Sequence, residues 1–429
     1  MSKQKSNSGN DAQSSMFKRL SGGLITGAAD DDPSGIATYS QVGAKFGYAT
    51  LWTMCLALPL MIAIQTVSAR IGRVTGKGLA QNMQAVYSTW WVRGLIGCLL
   101  IANVINLGAD IGAMGDALKL LIGGPALAYA VGFALVSLAL QVYVPFSKYS
   151  PILKLLTLSL FAYVATVFVA HVPWGEALKN TFIPQIQWKA EYAVGIVAIL
   201  GTTISPYLFC WQAAQEVEEV KTDENDRKPL KSAPAQGPEA MRRINVDTSI
   251  GMIFSNLVAF FIILTAAAVL HAHGKTDITS SAEAAAALKP VAGKFAFLLF
   301  GFGIIGTGLL ALPVLAGSTA YAMAGAWSKP YGLEKTPKQA PFFYGVLIVA
   351  TLIGAALNLT PIDPIKALFW SAVINGVAAV PMMVVILLLA QNAKIMGKFT
   401  VTGWLKWLAW LATLVMGIAA VVMFATWGK

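Results

Sequence analysis

Long apolar runs alternate with short polar connectors along nearly the whole chain. Runs of roughly 20 residues, the length that crosses a bilayer as a helix, begin near residues 24, 49, 94, 125, 151, 192, 248, 295, 342, 367 and 404. The pattern predicts an all-α polytopic membrane protein with about eleven spans. We expect residues 21–429 to form one transmembrane domain and the polar residues 1–20 to form a disordered cytoplasmic tail. The polar connector at 220–240 is expected to be a flexible cytoplasmic loop.

The first apolar run is interrupted by Asp30-Asp31-Asp32-Pro33-Ser34-Gly35. An ionised Asp near the bilayer centre costs about 3 kcal/mol on insertion scales. Pro33 removes a backbone donor and disfavours helical geometry at Asp32. Unwound backbone at membrane depth is tolerated only where it is buried in protein or lines a polar cavity. A cavity bordered by carboxylates suits a cation.

The sixth run has a similar interruption at Gly201-Thr202-Thr203-Ile204-Ser205-Pro206-Tyr207. Two broken helices separated in this way are typical of inverted repeats of five helices, in which the broken helices meet at the midplane. The pattern predicts a first repeat at residues 21–170, a second at 190–392 and an extra helix at 404–427. The carboxyl-terminal ends of half-helices present free carbonyls that attract cations.

Composition supports a membrane protein and excludes several other classes. The chain is 56% hydrophobic and 12% charged, with a mean hydropathy of +0.65 and a net charge of +11. Most of the 31 Lys and Arg residues fall in alternate connectors, which the positive-inside rule interprets as a cytoplasmic amino terminus. We therefore expect membrane lipid, and not nucleic acid, as the partner of the basic residues.

Catalytic signatures are absent from the sequence. It contains no His-Glu-x-x-His, Gly-x-Ser-x-Gly or Gly-x-x-x-x-Gly-Lys-Ser/Thr motif. The cytoplasmic connectors are also too short for a catalytic domain. We therefore do not expect an enzyme.

Both interruptions resemble signatures of the NRAMP divalent-metal transporters. Asp32-Pro33-Ser34-Gly35, with the Ala-Thr, Gln and Gly-Tyr that follow, is similar to the Asp-Pro-Gly-Asn motif of the family's first helix. Residues 201–212 are similar to the sixth-helix stretch, where an Ala-x-x-Met-Pro-His run is usual. The resemblance implies a LeuT-like fold and alternating-access transport of a divalent cation, which is cargo and not a cofactor. It also implies metal ligands at Asp32, Gly35, Thr202 and Ser205.

Several positions depart from the family pattern. Gly35 replaces the family Asn, Thr202 the Ala whose carbonyl binds metal, Ser205 the Met, and Tyr207 the His. Sulfur ligands select softer metals, whereas carboxylate, carbonyl and water suit Mg²⁺ and Mn²⁺. The loss of bulk should widen the site, and Mg²⁺ prefers to keep several waters. The pattern therefore resembles the NRAMP-related magnesium transporters, with Mg²⁺ the first choice of substrate and Mn²⁺ the second.

Other polar residues border the predicted site. Asp30 and Asp31 either form a vestibule that concentrates cations or cap the half-helix and pair with Lys or Arg. Tyr207, Gln212 and Asn375 are candidates to surround the ion. For Asn375 the alternatives are contact with the ion through water and a hydrogen bond between helices.

The third span contains the residues that bear on whether transport is coupled to protons. Proton-coupled relatives carry an Asp-x-x-Glu pair there, whereas this chain has Asn106-Leu107-Gly108-Ala109 followed by Asp110. An Asn cannot relay a proton as a carboxylate can, so coupling is not expected through Asn106. Asp110 either carries protons or makes a hydrogen bond between helices.

Two alternative transporters remain. The first is a proton-coupled NRAMP symporter of Mn²⁺ or other transition metals. The second is an amino-acid transporter of the same fold, in which a half-helix amino terminus receives the substrate carboxylate. Three neighbouring Asp residues would repel that carboxylate, which disfavours the second alternative.

Overall fold

The computed structural model describes residues 26–27, 29–145, 148, 157–222 and 228–427. The predicted tail at 1–20 lies outside these residues. All regular elements in the described ranges are helical. The main helices are α1 (Pro33–Phe46), α2 (Trp52–Thr75), α3 (Thr89–Ile122), α4 (Ala126–Tyr143), α5 (Phe161–Val169), α6 (Ala190–Thr203), α7 (Pro206–Thr222), α8 (Gly237–Val269), α9 (Ala296–Ala326), α10 (Pro341–Leu357), α11 (Pro364–Gln391) and α12 (Gly403–Thr426). Short helices at Leu79–Gln84, Trp174–Phe182, Ser281–Ala285, Lys289–Ala292 and Ala393–Met396 occupy the connections.

The described helices account for the expected membrane spans. Eight helical segments in these ranges are long and apolar enough to cross a membrane by length and composition. Two shorter apolar helices lie at Leu158–Val169 and Pro341–Leu357. Together with the broken first helix they match the layout of about eleven spans expected from the hydrophobic runs.

The two predicted helix breaks are confirmed. Ala29 and Asp30 are helical, but Asp32 is extended (φ −66°, ψ 170°) and caps α1, whose first residue is Pro33. Proline is well suited to the first helical position because its missing N–H would have no partner there. In the sixth span α6 ends at Thr203 and α7 begins at Pro206. Each break therefore falls where a proline follows a residue that can cap a helix end.

Glycines bring the helices around the breaks into close contact. Gly201 at the end of α6 packs on α11, and a Cβ there would overlap the carbonyl oxygen of Ala372 and lie 2.5 Å from the nitrogen of Gly376. Gly27 makes a similar approach to the backbone of Gly251 on α8. These contacts hold both half-helices against their neighbours at backbone distance.

The described part of the connector between α7 and α8, residues 228–236, is docked on α2. The backbone amides of Leu230 and Lys231 donate to the carbonyls of Arg73 and Val74 at the end of α2, at 3.2 and 3.1 Å. The buried Arg73 guanidinium in turn donates to the carbonyl of Lys228 at 2.9 Å. The expectation of a flexible loop is therefore wrong for residues 228–236, because these hydrogen bonds and the burial of Leu230 fix the connector to α2.

The packing at Gly201 yields a first prediction. Gly201→Ala should lower the thermal stability of the purified protein, because the added methyl meets the backbone of α11 and overpacking costs about 1–3 kcal/mol. The measurement is thermal unfolding in detergent. Gly345→Ala on α10 is the matched control, since a Cβ there meets nothing within 4 Å. Equal melting temperatures for the two variants would contradict the close contact between α6 and α11.

Candidate metal site at the two helix breaks

The Asp32 carboxylate lies at the centre of the broken first helix and is almost fully buried, with 1% exposure. One oxygen, Oδ1, accepts hydrogen bonds from the Ser34 hydroxyl at 2.7 Å and from the Gly35 backbone amide at 2.8 Å. The other, Oδ2, accepts from the Asn106 amide at 3.1 Å and from the Tyr207 hydroxyl at 3.2 Å. Four donors therefore stabilise this buried carboxylate.

Asn106 connects Asp32 to a third helix. Its amide oxygen accepts a hydrogen bond of 2.7 Å from the hydroxyl of Ser371 on α11. The Ser371 hydroxyl is also 2.7 Å from the Leu368 carbonyl of its own helix. Asn106 and Ser371 are both buried. The bridge joins α1, α3 and α11 at the level of the break.

The carboxyl-terminal end of α6 packs directly on Gly35. A Cβ on Gly35 would lie 3.2 Å from the Thr202 hydroxyl oxygen and 3.3 Å from both the Asp30 carbonyl and the Tyr39 ring. The expected widening at Gly35 is therefore wrong for this conformation, because Tyr39 and the approach of α6 fill the space. Gly35 brings two predicted ligand positions, its own and Thr202, into contact.

Ser205 caps the end of α6. Its hydroxyl lies 2.6 Å from the Gly201 carbonyl and 2.9 Å from the Thr202 carbonyl, both of which lack a helical partner at this helix end. In this conformation the hydroxyl is directed at the carbonyls.

Asp30 and Asp31 are fully buried against α8. The Ser255 hydroxyl bonds to an oxygen of Asp30 and lies 3.3 Å from one of Asp31. The second oxygen of each carboxylate has no hydrogen-bond partner among the described residues, and neither Asp forms an ion pair in that part of the chain. They do not line an open vestibule in this conformation, and that role stays a prediction.

The remaining predicted residues lie around this centre in different ways. Gln212 accepts a hydrogen bond of 2.7 Å from Thr26, which ties α7 to the segment before the first break. Asn375 is buried beside Gly376, and its amide oxygen lacks a partner in the described ranges. Asp110 is buried on α3 near the backbone amide of Ser34, but neither of its oxygens makes a hydrogen bond of normal geometry with a described residue.

The end of α1 at Phe46 is closed by polar contacts. The Gln41 amide donates to Asp277 at 2.7 Å and accepts from the backbone of Ile278 at 2.9 Å. Lys45 pairs with Glu191 at 3.2 Å. A cavity of about 380 Å³ at this end is lined by these side chains and by apolar residues of α11. Asp32 is not among its lining residues, so this cavity does not reach the Asp32 carboxylate.

The structure adds residues that the sequence pattern did not single out. Tyr39, Ser34, Ser371 and Ser255 all contact the predicted site residues. Two of them could have been found from helical spacing. Tyr39 follows Gly35 by four residues and Ser371 precedes Asn375 by four, so that each lies on the same helix face as its predicted neighbour.

The candidate metal ligands at the two breaks do not form a cluster of metal-binding side chains. The described residues contain no group of three or more His, Cys, Asp or Glu side chains arranged to hold a metal ion. The breaks bring together the Asp32 carboxylate, hydroxyls and the carbonyls of a helix end, with the carboxylates of Asp30, Asp31 and Asp110 buried nearby. Such oxygen ligands suit hard divalent cations that keep part of their hydration shell.

Comparison with known families agrees with this arrangement. The family profile described as Natural resistance-associated macrophage protein-like (NRAMP) matches residues 23–426, which is nearly the entire chain. The chain belongs to the NRAMP family. The resemblance drawn from the two interrupted helices is thereby confirmed.

Two bacterial relatives match this NRAMP chain over most of their length. The divalent metal cation transporter MntH of Klebsiella pneumoniae subsp. pneumoniae is 27% identical over 390 residues, 87% of this chain and 86% of the relative. The protein of the same name from Chromohalobacter salexigens is 27% identical over 423 residues, 94% of this chain and 90% of the relative.

Solved structures share the fold. A manganese transporter of Eremococcus coleocola, in complex with an aromatic bis-isothiourea compound, superposes with a TM-score of 0.77 at 18% identity, covering 99% of this chain and 89% of the other. The inward-facing conformation of Mhp1 superposes with a TM-score of 0.58 at 13% identity, covering 95% and 90%. The expected LeuT-like architecture of this NRAMP chain is confirmed.

The contact at Gly35 yields a second prediction. Gly35→Ala should lower the maximal rate of cation uptake several-fold, because the added methyl separates α1 from Thr202 and shifts Asp32 relative to the end of α6. The measurement is uptake by the purified protein in proteoliposomes. Gly345→Ala serves again as the control that leaves the site untouched. Uptake by Gly35→Ala at the unsubstituted rate would show that the approach of α6 to Gly35 does not matter for transport.

Proposed function

We propose that the protein imports a divalent cation, Mg²⁺ in first place and Mn²⁺ in second, by alternating access through the site at the two helix breaks. Proton movement is not obligatorily coupled to this import. The protein would lie in a bacterial-type inner membrane with its amino terminus in the cytoplasm. The observation that carries the proposal is the buried Asp32 carboxylate in the first break, together with the oxygen-rich end of α6 that packs on Gly35 of the same break.

The class of activity follows from the family. NRAMP proteins are membrane transporters of divalent metal cations and not enzymes. The named relatives are divalent metal cation transporters, and the E. coleocola neighbour is a manganese transporter. These names support a divalent cation as cargo and leave the choice between Mg²⁺ and Mn²⁺ to the chemistry of the site.

The proposed shell is built from oxygen. Asp32 supplies the negative charge, and the main-chain carbonyls around Asp32 and Thr202 supply neutral ligands. The Ser205 hydroxyl adds one more after rotating away from the carbonyls that it caps. Water completes the shell. Transport would proceed as the bundle carrying α1, α6 and α7 rocks against the remaining helices.

The preference for Mg²⁺ rests on ligand type. None of the predicted ligand positions, Asp32, Gly35, Thr202 and Ser205, carries sulfur. Carboxylate, carbonyl and water ligands suit Mg²⁺ and Mn²⁺, whereas thioethers favour softer ions. Because Mg²⁺ dehydrates reluctantly, we propose that it crosses the site with part of its hydration shell.

A proton-coupled Mn²⁺ symporter is the second candidate. The buried Asp110, close to the backbone of Ser34 at the start of α1, is the observation that favours it. Against it, the α3 residue that contacts Asp32 is the amide of Asn106, which cannot take up and release protons as a carboxylate can. The proposal without obligatory coupling therefore comes first.

The direct test is uptake of Mg²⁺ and Mn²⁺ into proteoliposomes that contain a pH dye. We expect entry of Mg²⁺ without acidification of the lumen. Asp32→Ala should abolish uptake of both ions, because the ion loses its charged ligand. The variant should still fold, with a lower melting temperature because α1 loses its cap. Asp116→Ala, which removes a carboxylate of α3 that makes none of the site contacts, is the control and should transport normally.

Two contrary results would contradict different parts of the proposal. Mn²⁺ entry with acidification and no Mg²⁺ entry would establish the symporter instead. Full uptake by a well-folded Asp32→Ala protein would overturn the site assignment.

Selectivity gives a further prediction. Ser205→Met should shift uptake toward Mn²⁺ and Cd²⁺ relative to Mg²⁺, because it adds a thioether to an oxygen site. The measurement is competition among these ions at the same total concentration. Ser205→Ala removes the hydroxyl without adding sulfur, so it separates the two effects. An unchanged order of preference in Ser205→Met would show that this side chain does not touch the ion.

A further inference from the structure

The two oxygens of the Asp32 carboxylate are held in different ways. Oδ1 is bound by Ser34 and by the backbone of Gly35, which belong to the same helix start and move with Asp32. Oδ2 is bound by Asn106 of α3 and Tyr207 of α7, which belong to other helices. A cation can therefore reach Asp32 through Oδ2 once these donors withdraw, while the cap of α1 keeps Oδ1 in place.

Asn106 is held between Asp32 and Ser371. A planar amide has a donor end and an acceptor end. Because the Asp32 carboxylate only accepts hydrogen bonds, the NH₂ group is the end directed at Asp32, at 3.1 Å. The amide oxygen lies 2.7 Å from the Ser371 hydroxyl, which shares its proton between this oxygen and the Leu368 carbonyl. Ser371 thus positions Asn106 without itself touching Asp32.

From this geometry we propose that Asn106, positioned by Ser371, occupies Oδ2 of Asp32 when no cation is bound and so permits the empty transporter to close and return. The inference rests on the proposed function in one respect, the role of Asp32 as a cation ligand. Asn106 is a positioning residue for the empty state and not a ligand of the ion.

The physical reason is the free-energy cost of burying the Asp32 carboxylate without enough hydrogen bonds or an opposite charge. Net transport requires the empty site to pass through a closed conformation, in which water cannot solvate Asp32. A buried charge is tolerated only when hydrogen bonds or an opposite charge compensate it. The amide supplies a donor from α3 at that step, and a cation replaces it when the loaded site closes.

The chain contains a matched control on the same helix. Asn103 lies one turn earlier on α3 and is equally buried. Its amide donates to the hydroxyls of Ser318 and Thr319 on α9, at 3.2 and 2.7 Å, and not to Asp32. Removal of the Asn103 amide therefore reproduces the structural consequences of losing a buried Asn from α3 without affecting the empty site.

The experiment compares two modes of transport in proteoliposomes. Net uptake into cation-free vesicles needs the return of the empty transporter, whereas exchange of external for internal cation does not. The probe is Mg²⁺ or Mn²⁺, whichever the unsubstituted protein moves faster. Asn106→Leu should lower the ratio of net uptake to exchange about tenfold, as expected for loss of one hydrogen bond to a buried charge. Ser371→Ala should lower it in the same direction by a smaller factor, and Asn103→Leu should leave it unchanged.

The outcomes separate this inference from the proposed function. An equal loss of net uptake and exchange in Asn106→Leu, or the same change of ratio in Asn103→Leu, would overturn the role of Asn106 in the empty state. If Asn106→Leu does not fold, an unchanged ratio in Ser371→Ala would overturn it. Failure of the unsubstituted protein to exchange either cation would instead refute the proposed function.

Discussion

The hydrogen bonding of one buried carboxylate organises the centre of this molecule. An isolated charge at the bilayer centre costs at least about 3 kcal/mol, whereas Asp32 is buried inside the protein with four donors around it. One of these donors, the Gly35 amide, is free only because α1 begins at Pro33 and leaves its first amides without helical partners. The helix break therefore helps to stabilise the buried charge that we propose as the cation ligand.

The close approach of helices at glycines sets the shape of the site. Gly201 allows α6 to contact α11, and Gly35 allows α1 to contact the end of α6. These contacts place the Thr202 carbonyl end beside the start of α1, and the two helix breaks meet as a result. The volume released by Gly35 is taken up by this approach and by Tyr39. The proposed preference for a hard cation therefore rests on the oxygen atoms at the two breaks and not on an enlarged cavity.

The breaks and the family could be predicted from the sequence because both depend on local chemistry. Proline and glycine in an apolar run interrupt a helix wherever they occur, and the residues of the two motifs are contiguous. The family resemblance placed Tyr207 and Asn106 near the site, but it did not predict that both donate to the same oxygen of Asp32. Their meeting at Oδ2 depends on how α3 and α7 pack. The docking of residues 228–236 on α2 could not be predicted for the same reason, because the sequence of a polar connector does not indicate which tertiary hydrogen bonds it forms.

The hydrogen-bond donors around Asp32 are neutral groups. This suits a site that must bind and release a cation in every transport cycle. A hydrogen bond to a charged group contributes about 1.5–3 kcal/mol, so withdrawing Asn106 and Tyr207 costs roughly 3–6 kcal/mol in total. Binding a cation with a dissociation constant between 1 mM and 1 μM corresponds to about 4–8 kcal/mol. The dissociation constant already includes the cost of withdrawing the donors, so the direct interaction of the ion with the site must exceed the net binding free energy by about 3–6 kcal/mol. A Lys or Arg in place of Asn106 would form a buried ion pair, and separating it would leave a second uncompensated charge at a cost of about 3–5 kcal/mol. An amide holds the empty site closed while keeping its exchange with a cation reversible.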